Sequence, residues 1–119
     1  MRCLRMKHYL ISFPSSAMSH IAEDDFPAVS EAAHAVIREA KAAGVYVFGG
    51  GIDETVAPVM VAADGGVAPG TYAETRKLSG GFCVLRLNTR EEAESWAARI
   101  AGGCRCAQEL RQFMYDPES

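Results

Sequence analysis

Residues 81–100 read GFCVLRLNTREEAESWAARI, and the way this run divides decides the fold. From Gly81 to Asn88 it is mostly apolar, with β-branched and aromatic types and no helical spacing, so it reads as a buried strand. At Thr89 the pattern changes. Glu92 follows Thr89 by three residues, the T-x-x-E spacing in which two side chains satisfy the free N–H groups of a helix start. Ala93, Trp96, Ala97 and Ile100 then recur at helical spacing and predict one buried stripe. Glu91, Glu92 and Glu94 sit at the end where the helix dipole favours negative charge. A strand running into a capped helix with almost no loop is half of a β–α–β unit.

The rest of the chain supplies the other half and a second unit. Gly102 and Gly103 are expected to end the helix, and CRCAQELRQFM (104–114) to form a closing strand. MKHYLISF (6–13) predicts a first strand, stopped by Pro14 and followed by a polar connection over 15–25. A first helix is expected from an Asp25 N-cap, with Pro27 in its first turn. Phe26, Val29, Ala33, Val36, Ile37 and Ala40 form its apolar stripe, and Gly44 its stop. A second strand follows over 45–48, broken by Gly49–Gly51. A third covers 56–63, its start pushed toward an edge by Pro58. DGG at 64–66 is a tight turn from which Val67 and Ala68 pair back before Pro69. The tail YDPES reads as frayed.

This order predicts a single α+β domain over residues 1–119, a ferredoxin-like βαββαβ sandwich with an inserted hairpin. Two helices cover one face of a mainly antiparallel sheet. The other face would expose apolar side chains from alternate positions of the first and fourth strands. Packing against a second copy covers them, so a sheet-to-sheet homodimer is expected.

Charge and composition narrow the function classes. Twelve basic against fifteen acidic side chains leave a net charge of −3, which argues against a nucleic-acid partner. No apolar run is long enough to span a membrane. The opening MRCLRMKHYLISF is interrupted by Lys7 and His8 and lacks a cleavage site, so it reads as a strand and not a signal peptide, which makes a cytoplasmic location the expectation. Cys3, Cys83, Cys104 and Cys106 read as free thiols, with Cys104 and Cys106 on one side of the last strand. No metal-ligand spacing, no phosphate-binding glycine loop and no nucleophile elbow is present, so neither a metal nor a cofactor is expected.

One block is diagnostic. AETRK (73–77) followed by LSGGF (78–82), with AAGVYVFGGG (42–51), EEAESWAARI (91–100) and ELR (109–111), resembles the YCII-related proteins, in the branch named for its DGPF motif. The resemblance covers most of residues 6–113. Pro69, Gly70, Thr71 and Tyr72 fill the four motif positions, so Pro69 stands for the motif's aspartate and Thr71 for its proline. The resemblance implies a ferredoxin-like dimer related to the dimeric α/β-barrel proteins. It also implies small aromatic substrates, or a regulatory setting, since some relatives occur alongside sigma factors.

Two sets of side chains are candidates for chemistry. His34 lies at the boundary of the first helix's apolar stripe, and related proteins carry a histidine at a similar distance before the glycines. It is the candidate acid/base group, against the alternative of a partly buried histidine with one hydrogen bond. Tyr72, Glu74 and Arg76 are the candidate ligand contacts on the loop. Tyr72 would stack on an aromatic ring and Arg76 would hold a carboxylate, against the alternative of a charged hairpin loop. Arg111 joins them as a ligand contact on the last strand; Arg86, also on a strand, can line a cleft or reach solvent. His8 and His20 read as structural. The expected function is an acid/base enzyme (a lyase, isomerase or cofactor-free oxygenase) on a small aromatic or carboxylated molecule. The alternative is a metabolite-binding or regulatory dimer, or a partner-binding one.

Overall fold

The computed structural model describes residues 6–119, so Cys3 and the basic start of the chain lie outside the described residues. Four strands make the main sheet: β1 (Lys7–Phe13), β2 (Tyr46–Gly51), β5 (Gly81–Leu87) and β6 (Glu109–Gln112). Helices α1 (Phe26–Ala42) and α2 (Arg90–Cys104) connect them, and β3 (Val59–Val61) with β4 (Val67–Pro69) forms the separate hairpin. The sheet order is β2-β5-β1-β6 and every neighbouring pair is antiparallel. It follows that β1 and β2 run parallel on either side of β5, and β5 and β6 parallel on either side of β1. Each helix is thus the crossover of a split βαβ unit, an arrangement consistent with a ferredoxin-like sandwich.

Strand parity decides which face meets the helices. Tyr9 and Ile11 of β1 and Cys83, Leu85 and Leu87 of β5 point one way and are buried. They pack with Ala40 of α1 and with Ala93, Ala97, Ile100 and Cys104 of α2 in one core. The molecule is only 21 Å across its shortest axis, the depth of one helix layer on one sheet. Among the described residues no helix covers the opposite sheet face.

The helix ends follow their local chemistry, with two departures. At the close of α1 the Gly44 N–H donates to the Lys41 carbonyl (3.0 Å) and the Val45 N–H to the Ala40 carbonyl (3.1 Å). Gly44 takes φ +75°, completing a Schellman motif. At the start of α1, Asp25 makes no side-chain cap bond. A 3-10 turn over Glu23–Asp25 feeds straight into the helix and holds Asp25 in helical backbone, whereas a capping side chain needs an extended one. Thr89 does cap α2: its Oγ1 accepts the Glu92 N–H at 3.1 Å. Glu92 reaches back to the Asn88 N–H (3.4 Å), one residue before the position of the usual box.

α2 does not stop at Gly102 and Gly103 but runs to Cys104, and Arg105 terminates it in left-handed backbone at φ 58°. That strained position is held by two contacts: the Arg105 carbonyl accepts from His20 Nε2 at 2.8 Å, and its guanidinium pairs with Asp25 at 3.4 Å. Cys104 accordingly lies on the helix, and the closing strand shrinks to Glu109–Gln112.

The glycines after Phe48 are also a correction. Gly49, Gly50 and Gly51 do not break β2 but pair with Cys83, Phe82 and Gly81. A Cβ on Gly49 would lie 2.9 Å from the Cys83 Cβ and the Tyr46 hydroxyl, so the strand passes the core there only as glycine. The third strand is shorter than its apolar run, with only Val59–Val61 paired, to Val67–Pro69.

Candidate functional site

The antiparallel register lays out the open sheet face residue by residue. One row across it holds Phe48, Val84, Leu10 and Arg111; another holds Gly50, Phe82, Ser12 and Glu109. A third holds Arg86 opposite His8, with Phe113 beyond, where the Phe113 N–H donates to the His8 carbonyl at 2.9 Å. Strand β2 meets this row through a bulge between Tyr46 and Phe48. The bulge turns Tyr46 to the core while Val47 and Phe48 both stay exposed, with the Phe48 ring 6.0 Å from that of Phe82.

The third row floors a cavity of about 870 Å³. Its floor is Val47, Val84, Arg86 and His8, and its wall is the segment from Phe113 through Asp116 that follows β6. Among the described residues, the charged side chains Lys7, Arg86 and Asp116 line it. Asp116 is already committed to a turn, its Oδ1 accepting the Glu118 N–H at 2.9 Å. Among the described residues, neither the Arg86 guanidinium nor the His8 ring has a hydrogen-bond or ion-pair partner. The two side chains are directly opposed across the β1–β5 ladder.

The side chains singled out from the sequence do not converge. His34 lies exposed on α1, on the helix side of the molecule, 3.5 Å by its Nδ1 from the Ser30 hydroxyl. Tyr72, Glu74 and Arg76 are exposed in and beside the 3-10 turn Ala73–Thr75. The loop that carries that turn enters β5 at Gly81, which pairs with Phe13 at the end of the strand away from Arg86. Arg111 is on the open face, one row from the cavity, and pairs with Glu109 at 3.4 Å. Of the residues weighed from sequence, Arg86 and His8 are the ones the fold joins. Their joining depends on strand register, which spacing along the chain does not carry.

A smaller hollow of about 380 Å³ lies at the other sheet end, lined by Phe13, Met18, Phe26, Gly80 and Gly81. It is walled by structural contacts: Ser15 N–H donates to Ser79 Oγ at 3.2 Å and the Ser15 hydroxyl to Glu54 at 3.2 Å. Among the described residues, Cys83, Cys104 and Cys106 are free thiols whose ionisation burial disfavours. Burial, with a neighbouring thiol adding to it, pushes Cys83 and Cys104 up to about 11, which keeps both protonated at neutral pH. Among the described residues no three His, Cys, Asp or Glu side chains gather as a metal site requires, and no helix is long and apolar enough to cross a membrane. In comparisons with protein-family models and with curated proteins, the chain matches none.

Proposed function

We propose that the protein is a YCII-like dimer of the DGPF branch, packed sheet on sheet, that binds a small aromatic or carboxylated molecule in the open-face cavity. The observation that carries this reading is the Arg86–His8 pair, without a side-chain partner among the described residues, beside Val47 and Val84 on the cavity floor. An arginine offers a planar fork that matches a carboxylate, and the apolar surroundings strengthen the pair once water is displaced. The cavity volume falls within the range of small-molecule sites.

Binding is favoured over acid/base turnover because His34 stands away from the cavity, on the other side of the sheet. The altered motif points the same way. Pro69 lies in β4 opposite Val59, so the position where the branch carries its aspartate holds no carboxylate here. Titration with 2-naphthoate tests the reading. Wild type and His34→Ala are expected to bind it alike, and Arg86→Ala to bind at least tenfold more weakly, about 1.4 kcal/mol. Equal affinity in wild type and Arg86→Ala would remove the cavity as the site. A tenfold loss in His34→Ala would restore the acid/base reading.

A further inference from the structure

We infer that His8 and Arg86 form a two-point clamp for one carboxylate of an aromatic acid, and that closing the clamp protonates His8. The inference rests on the binding reading above and adds the ligand's charge, its donors and a proton.

The donors come first. As directly opposed residues of antiparallel strands, His8 and Arg86 have Cβ atoms about 5 Å apart. One carboxylate can accept from both. Arg86 supplies two parallel N–H groups and His8 one ring N–H. Among the described residues, the charged side chains lining the cavity are the cations Lys7 and Arg86 and the acid Asp116, an excess of positive side chains that suits an anionic ligand. A phosphate would want more donors than this. Among the described residues no glycine lines the cavity to offer backbone N–H groups, and the start of α2 is closed by its own Thr89 cap. The body of the ligand meets Val47, Val84 and Phe113, so a ring system is the fitting partner for it.

The proton follows from the same neighbours. His8 lies opposite Arg86 of β5 and shares the cavity lining with Lys7, with Val47 of β2 and with Phe113, Tyr115 and Asp116 of the segment after β6. A bound carboxylate favours the imidazolium, as an opposite charge within hydrogen-bond reach does. The ring then takes one proton from solvent while the carboxylate stays ionised. Affinity must therefore fall as pH rises through the range in which the ligand-bound ring gives up its proton, by at most about tenfold per pH unit.

The test is calorimetric titration of 2-naphthoate at about pH 7.5 in two buffers of different ionisation heat, which reads protons taken up per ligand bound. Wild type is expected to take up a measurable fraction of a proton. His8→Gln is expected to bind several-fold more weakly, with no uptake and a flat pH profile. His8→Asn serves as a second neutral variant, and circular dichroism confirms that both fold. No uptake in wild type, or uptake unchanged in His8→Gln, overturns the clamp while leaving Arg86-dependent binding intact. Tighter binding of 2-naphthyl phosphate than of 2-naphthoate overturns the assignment of one carboxylate. Binding that ignores Arg86→Ala overturns the reading beneath both.

Discussion

Gly80 sits at φ +78°, and a Cβ built there would lie 2.1 Å from the Phe13 carbonyl oxygen and 2.7 Å from the Ser15 nitrogen. Both atoms are backbone, so neither can swing aside. The same residue offers its carbonyl to the Ile52 N–H at 2.8 Å, tying the loop before β5 to the end of β2. Gly80→Ala would meet strain from the left-handed backbone and a clash with the neighbouring strand together. It is expected to destabilise the protein by about 3 kcal/mol or more, read as a lower urea midpoint at unchanged slope. The chain's double glycine was legible as a punctuation mark, and its reason was not: the Phe13 carbonyl is 67 residues away in sequence. His8 and Arg86 show the same limit. Each reads as an ordinary strand residue alone, and only the register of β1 on β5 sets them opposite one another.

Elements were easier to read where a local signal has no competitor. The Thr89 cap, the Gly44 stop and the two apolar stripes are written in neighbouring residues, and α1, α2 and β5 begin or end within a residue or two of where those signals put them. Tertiary contact displaced the rest. Gly102 and Gly103 look like a helix stop, yet α2 continues because its last turn runs against α1. A Cβ on Gly103 would stand 3.1 Å from the Ala32 carbonyl group and the Ala33 Cα. The glycine here lets two helices approach. Gly103→Ala gains up to about 1 kcal/mol of helix propensity and loses about 1–3 kcal/mol to overpacking against rigid backbone. Net destabilisation is the expected outcome. Gly102→Ala, with nothing within 4 Å of its Cβ, is expected to stabilise. Thermal melts of the two variants should move in opposite directions; two upward shifts would show that the helices have room to part.

At the scale of the molecule the sheet has one finished face and one unfinished one. Leu10, Phe82 and Val84 lie half-buried on the open side, and Phe48 stands 59% exposed beside them. The inserted hairpin adds exposed Val59, Val61 and Val67, and the radius of gyration, 16.5 Å, exceeds the about 13.5 Å of a compact chain of this length. A second copy packed face to face would cover the apolar rows, and its two-fold symmetry would set Glu109 and Arg111 of each copy on the same interface. The rim of that interface would then form the fourth wall of the Arg86 cavity. Phe48→Glu separates assembly from folding. The ring is mostly exposed in the single chain, so its loss should cost the monomer fold about 1 kcal/mol or less, including the contact with Phe82. In a sheet-to-sheet dimer the same change places two carboxylates on the apolar face that the partner covers, without partners. Sedimentation is expected to give twice the chain mass for wild type and the chain mass for Phe48→Glu, with unchanged circular dichroism. A wild type that sediments as one chain at tens of micromolar would leave the open face to the ligand alone.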